Sequence, residues 1–313
     1  METIQPTTSV RTRYGARRAL VRFACGLAAI LLIAYLGISA LAATILTTPR
    51  RTLGGRTPAA FNLAYDDVRF PARADGVQIA GWFIPQPAGH QAIVLAHGKD
   101  SSRTDEFQGH FVDLAAALHA HGFAVLMIDL RGHGGSGAAH ISFGLLERRD
   151  IEGAVDWLKS RGFAPGGIGV LGVSMGAASS IGAAAEDPDI GALVADCSYA
   201  AIDPIIQEQW RSASGLPDFF LPSTLLIGQL MFGYDISTAN PVEEIGHIAP
   251  RPLLIIHGAA DRFIPVANAE QLKAAAPTAG LWEVAGAQHA SSYLANPQAY
   301  AEKVGEFFEK SLR

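Results

Sequence analysis

Ile168-Gly169-Val170-Leu171-Gly172-Val173-Ser174-Met175-Gly176-Ala177-Ala178 decides how this chain is read. Ile168–Gly172 is a short apolar run of strand length, and the small-residue stretch Ala177–Glu186 that leaves it is helical in character. Between them lies Gly172-x-Ser174-x-Gly176. Glycine and serine are common, so the pentapeptide alone says little. Its setting says more: a strand that turns at once into a helix leaves no room for a side chain at either glycine. The turn holds the hydroxyl at the strand end, where the helix N-terminus favours developing negative charge. Ser174 is therefore a candidate nucleophile rather than a serine that merely caps a helix.

A serine hydroxyl is a weak nucleophile and needs a base held in one tautomer. In sites built on such a turn the chain order is serine, acid, histidine. Downstream of Ser174 stand His247, His257 and His289. His289, in Gly286-Ala287-Gln288-His289, follows the last predicted strand and is the candidate base. His257 ends the strand Leu253–His257 and reads as packed near the sheet edge, while His247 reads as a solvated residue. For the acid, Asp261 follows the penultimate strand in His257-Gly258-x-x-Asp261-x-x-Ile264-Pro265, with Asp196, ending Ala192–Asp196, as its rival.

The developing oxyanion needs two backbone N–H groups, one after the nucleophile and one from an earlier strand end. Met175 supplies the first. Lys99, in His97-Gly98-Lys99-Asp100 after the strand Ala92–Ala96, supplies the second, with Gly98 as the alternative. His97 reads as a brace for this loop. The Gly-rich Asp129–Ser136 matches no phosphate-binding spacing and reads as a structural turn, with Asp129 paired to Arg131. Glu147 and Asp150 read as acidic residues suited to a helix N-terminus.

Working outward, Val68–Phe70 and Val77–Ile84 read as strands around an Asp75-Gly76 turn. Phe107–His121 reads as a helix stopped by Gly122, Ala124–Asp129 as a buried strand, and Ile151, Ala154, Val155 and Leu158 as a helix face. Ala267–Ala276 reads as a helix, Leu281–Ala285 as a strand and Tyr300–Leu312 as a closing amphipathic helix. Continuous apolar strands alternating with helices predict a mostly parallel sheet covered on both faces. The alternation breaks between Tyr199 and Ala249, a stretch with Trp210, Phe219, Phe220, Phe232 and Tyr234, which reads as a cap inserted over the sheet edge at about 199–249.

The N-terminal region is of another kind. Residues 23–46 carry no charge, which is enough to cross a ~30 Å hydrocarbon layer as a helix. Arg11, Arg13, Arg17, Arg18 and Arg22 precede the run, and Arg50, Arg51 and Arg56 follow it. The reading is a basic leader at 1–22 in the cytoplasm, a single transmembrane helix at 23–46, a connector at 47–64 that packs little, and the main domain at 65–313 on the outer side. A cleaved signal ending at Ala40-Leu41-Ala42, with a secreted product, is the alternative. Net charge is −5, and Lys and Arg are not interleaved with aromatics, so no nucleic-acid partner is expected. Cys25 and Cys197 are predicted not to pair, and neither has metal-site spacing, so no metal or cofactor is expected. Nothing points to an obligate protein partner.

DLRGHGGSG (129–137), DIEGAVDWLK (150–159), IGVLGVSMGAA (168–178), LLIIHGAADRFIP (253–265) and GAQH (286–289) together resemble the membrane-anchored bacterial α/β-hydrolases related to the serine aminopeptidase and monoglyceride lipase group. The likeness runs from about Tyr65 to the C-terminus and is weakest across the cap. It implies the α/β-hydrolase fold and a serine hydrolase without cofactor, with nucleophile, acid and base at Ser174, Asp261 and His289. Bilayer anchor and apolar cap favour an acyl or lipid-like ester as substrate. The alternatives are an aminopeptidase-like amide hydrolase, gripping a peptide amine through Glu208, Asp218 or Asp235, and a non-catalytic membrane-tethered binding module.

Overall fold

A computed structural model describes residues 9–52, 54–87 and 89–313. Met1–Thr8 of the predicted leader and Leu53 of the predicted connector lie outside the described residues. The first helix, α1 (Ser9–Thr47), contains the charge-free run, and its Gly15–Thr47 part is long and apolar enough to cross a membrane.

Eight strands form one sheet in the order β1-β2-β4-β3-β5-β6-β7-β8. β1 (Asp66–Pro71) and β2 (Gln78–Ile84) form the predicted hairpin, and β2 pairs antiparallel with β4 (Ala124–Ile128). The rest is parallel: β3 (Ala92–Ala96), β5 (Ile168–Val173), β6 (Ile190–Asp196), β7 (Leu253–Gly258) and β8 (Gly280–Val284). Side chains alternate across the pleat. Val94 thus joins the layer with α4 (Arg148–Ser160) and α5 (Met175–Glu186), while Ile93 and Leu95 join the opposite layer. That opposite layer holds α3 (Phe111–Ala120) and the closing helix α11 (Pro297–Ser311).

The helix predicted over Phe107–His121 is broken. Its first part is the short turn α2 (Glu106–Gly109), in which Phe107, Gln108 and Gly109 take positive φ, and a regular helix begins only at Phe111. The cause is tertiary: Phe107 is buried and stacks on Tyr293, while Glu106 is drawn into the loop after β3. The expected Asp129–Arg131 pair does not form either. Asp129 takes Arg103, whereas Arg131 is held by Asp150 and Asp75. Asp150 is therefore a buried ion-pair partner, which outweighs its place in the first turn of α4.

Between β6 and β7 the chain makes α6 (Ile202–Ser214), α7 (Leu221–Phe232) and the short α8 (Pro241–Glu244). α9 (Ala267–Ala275) follows β7, and α10 (Ser292–Ala295) precedes α11. The segment after α1 packs more than expected. Arg50 N–H donates to Asp100, Arg51 to the Ser136 carbonyl and Arg56 to the Gly109 carbonyl. Pro58 is buried. These polar bonds strap the segment to the loops beside β3 and β4, a role that its lack of apolar residues concealed.

Candidate active site

β5 ends at Val173, and Ser174 follows with φ 54° and ψ −117°, a backbone state that side chains rarely adopt. The two glycines make the turn possible. A Cβ at Gly172 would lie 2.3 Å from the Gly176 carbonyl, and one at Gly176 would lie 2.4 Å from the His97 carbonyl. The turn is fixed from below by Ser174 N–H, which donates to the Asp196 carbonyl at 2.8 Å.

The three residues singled out for chemistry come together. Ser174 Oγ lies 2.9 Å from His289 Nε2, and His289 Nδ1 lies 2.8 Å from Asp261 Oδ2. With Nδ1–H donating to the carboxylate, Nε2 carries the lone pair that faces the hydroxyl. Asp261 is itself firmly held, its Oδ1 accepting from Phe263 N–H and Ile264 N–H, both at 2.9 Å. Burial pushes its carboxyl up, but hydrogen bonds from His257 and His289, the His289 charge and the Ile264 N–H outweigh this and hold it well below the usual carboxylate range. His257 is buried, with Nε2 donating to the Ile264 carbonyl at 2.8 Å and standing 3.5 Å from Asp261 Oδ2. It thus supports the acid loop, a role not read from the sequence. His247 is exposed, as expected.

Asp196 is fully buried and makes no bond to His289, accepting instead from Ser292 Oγ (2.9 Å), Tyr300 OH (3.0 Å) and Cys197 Sγ (3.1 Å). Burial raises its pKa despite these donors. The Cys197 thiol is pushed well up by burial and by Asp196, so it stays protonated. Cys197, Asp261 and His289 do bring ligand atoms within 4.8 Å of one another. A neutral thiol beside a carboxylate and imidazole already bonded to each other is a poor metal donor set.

The loop after β3 lies against the serine: a Cβ on Gly98 would come 3.2 Å from Ser174 Cβ. Gly98 N–H is taken by Glu106 Oε2 at 2.6 Å, which removes it as an oxyanion donor. Among the described residues, neither Lys99 N–H nor Met175 N–H meets an acceptor in the protein, and both residues line the cavity at Ser174. The Lys99 side chain turns away to Asp100. His97 braces the loop as read, accepting from Leu130 N–H at 3.0 Å. Burial, then the neighbouring His133, pushes its pKa down to about 3, so it stays neutral and can accept. Glu106 is the residue that sequence reasoning missed. An acidic residue amid Phe107, Phe111 and Leu114 was the available signal, but the fold alone shows what it holds.

The serine opens into a cavity of about 380 Å³. Ile202, Ile205 and Trp210 of α6, Leu225 and Phe232 of α7, and Ala43 and Leu46 of α1 contribute to its wall. Among the described residues, no carboxylate lines it. Asp218 is paired with Arg211 on the surface, Asp235 holds Ser237 and Glu208 is exposed. A hydroxyl, an oriented imidazole and two N–H groups without a protein acceptor beside an apolar chamber can together attack and stabilise an acyl carbonyl.

The sequence profile of the alpha/beta hydrolase family matches residues 93–303. The chain belongs to this family. A relative, the uncharacterized protein YqkD of Bacillus subtilis strain 168, is 31% identical over 243 residues, covering 75% of this chain and 77% of its own length. YfhR of Salmonella typhimurium is 27% identical over 237 residues, covering 73% and 74%. Among solved structures, the Pyrococcus furiosus esterase Pf2001 superposes with a TM-score of 0.69 at 26% identity, covering 84% of this hydrolase and 99% of its own chain.

Proposed function

We propose that this hydrolase cleaves carboxylic esters of acyl or lipid-like substrates through an acyl-enzyme on Ser174. The observation that carries the reading is the hydrogen-bonded chain Ser174–His289–Asp261 opening into an apolar cavity without a carboxylate in its wall. Likeness to an esterase supports the same bond type. In the first half-reaction, Ser174 Oγ attacks the ester carbonyl carbon while His289 Nε2 takes the hydroxyl proton. Asp261 stabilises the imidazolium, and Met175 and Lys99 N–H receive the oxyanion. The carbon–oxygen bond to the alcohol then breaks and His289 returns the proton to the leaving alcohol. Water, deprotonated by His289, attacks the acyl-enzyme and releases the carboxylic acid, restoring the serine.

An aminopeptidase needs an acidic grip on a substrate amine, and Glu208, Asp218 and Asp235 lie outside the cavity wall. We further assign residues 23–46 to a membrane-spanning segment, with a basic leader at 1–22, a connector at 47–64 and the hydrolase domain at 65–313 on the outer side, its cap at about 199–249. A cleaved signal is disfavoured because cleavage after Ala42 would remove Ser39 and Ala42, which are buried in the fold, and Tyr35, whose hydroxyl donates to the Phe219 carbonyl. The test is a panel of p-nitrophenyl esters of rising acyl length run beside aminoacyl anilides. Hydrolysis of esters with a preference for longer chains is expected; faster cleavage of the anilides would overturn the reading.

A further inference from the structure

α7 does more than roof the cavity. It runs alongside the last turns of α1, from the Tyr35 hydroxyl on the Phe219 carbonyl (2.8 Å), through Ser39 Oγ to Ser223 Oγ (2.7 Å), to a Cβ at Gly228 that would touch Ala43 at 3.5 Å. Ser39, Ala43 and Thr47 are spaced by four, so one stripe of small residues on α1 meets Ser223 and Gly228 of α7, the kind of seam by which helices pack in lipid. The face of α7 turned from the cavity is apolar and exposed: Leu226, Leu230 and Met231, none of which lines the cavity, are 56%, 77% and 50% exposed. Beside it, Ile38, Leu41 and Ile45 of α1 are exposed too. From Phe219 to Tyr234 there is no charged residue. Arg211 and Asp218, just before this run, neutralise each other.

Length places this surface. Twenty residues beyond Arg22 reach Ala42, about 30 Å along the helix, so a hydrocarbon layer that begins at Arg22 ends within the seam where α7 packs. The apolar segment Asp218–Phe232 is about 22 Å long, too short to cross and suited to lie at the boundary. We propose that α7, carried on α1, seats its outer face in the outer leaflet, so that the cavity is loaded with acyl esters dissolved in the bilayer. The wall shared by α1 and α7 would then be the side that faces lipid. This rests on the ester-hydrolase reading above and on α1 as the membrane span.

The test uses the full chain in phosphatidylcholine vesicles. An environment-sensitive fluorophore is placed on a Leu230→Cys variant, with Cys25→Ala removing the exposed thiol and Cys197 buried, and on a Glu302→Cys control on α11. Doxyl-labelled lipid should quench the fluorophore at 230 and aqueous iodide the one at 302. In parallel, Leu230→Glu should leave hydrolysis of soluble p-nitrophenyl butyrate within about twofold, yet slow hydrolysis of vesicle-dissolved p-nitrophenyl palmitate at least about tenfold. Iodide reaching position 230 as freely as 302, or an unchanged palmitate rate in Leu230→Glu, would overturn the proposal. If the unaltered protein cleaves neither ester, the ester-hydrolase reading fails, while the quenching still decides the lipid contact.

Discussion

The sheet edge that carries Ser174, Asp261 and His289 faces the wall formed by α1 and α7 across one cavity, and the two sides are held by different forces. On the sheet side each side chain is fixed by short polar contacts inside a buried frame: Asp261 alone takes two backbone N–H groups and the His289 imidazole, with His257 3.5 Å away. On the other side the helices meet through small residues, one hydroxyl pair and the Tyr35 hydroxyl on the Phe219 carbonyl, with large apolar side chains left facing outward. Chemistry that needs sub-ångström placement sits where backbone geometry dictates it; recognition of an apolar chain needs only volume and greasy surface.

The sharpest way to break this contrast is at the serine. Ser174→Ala should lower ester turnover by about 10⁴-fold or more and abolish labelling by a fluorophosphonate, with far-UV circular dichroism unchanged. Labelling that survives would move the proposed nucleophile elsewhere and leave the sheet side without its distinguishing feature. Next in size is a pair of substitutions on neighbouring strand ends. Asp261→Asn should cost about 10⁴-fold in kcat, because the histidine loses the partner that fixes its tautomer. Asp196→Asn should change kcat by less than about tenfold but lower stability by about 1–3 kcal/mol, since Ser292, Tyr300 and Cys197 all donate to it. Kinetics and thermal melts on the same two proteins separate these outcomes, and a reversal would exchange their proposed roles.

The same contrast explains what could be read from the sequence. The proposed triad Ser174, Asp261 and His289 is legible because each residue sits just beyond an apolar strand, and strand ends are local features. The parallel sheet followed from the same runs. Glu106 was not visible: it acts through Gly98, eight residues back, only because α2 kinks at Phe107 and Gln108. Asp129 and Arg131 looked like a pair because they are neighbours in sequence, yet each finds a partner from another element. The α1 contribution was hidden for a related reason. A membrane-spanning run and a packed helix have the same composition, and the four-residue spacing of Ser39, Ala43 and Thr47 gives no partner until α7 is placed beside it.

Glu106→Gln tests whether the loop after β3 belongs to the precise side. The amide keeps the size of the carboxylate but accepts more weakly from Gly98 N–H, letting the N–H of Lys99, the proposed oxyanion donor, drift. A loss of about tenfold in kcat with KM nearly unchanged is expected, the pattern of an interaction made only in the transition state. Should KM rise while kcat holds, Glu106 would shape the cavity rather than the oxyanion donors.

The smallest effect probes the opposite wall. Consider a chain that starts at Tyr35 and one that starts at Thr48. The first retains Tyr35 on the Phe219 carbonyl, Ser39 on Ser223 and the buried Ala42 and Ala43, but lacks the first half of the apolar run, residues 23–34. The second also loses Ala43, Leu46 and Thr47 from the cavity wall and uncovers the cluster that Ala42 forms with Trp210 and Phe220. Neither cut touches Ser174, His289, Asp261 or the loop after β3, so both should cleave an acetyl ester at rates within about threefold of the full chain. An octanoyl ester reaches further along the apolar wall. Losing contacts worth about 1 kcal/mol there would raise its KM roughly fivefold in the chain starting at Thr48, and much less in the one starting at Tyr35. Equal constants for both chains on both esters would mean that α1 only tethers the domain. A deficit confined to the longer acyl chain and the shorter protein would instead make the end of α1 part of the substrate site, because a passive tether has no means of distinguishing eight carbons from two.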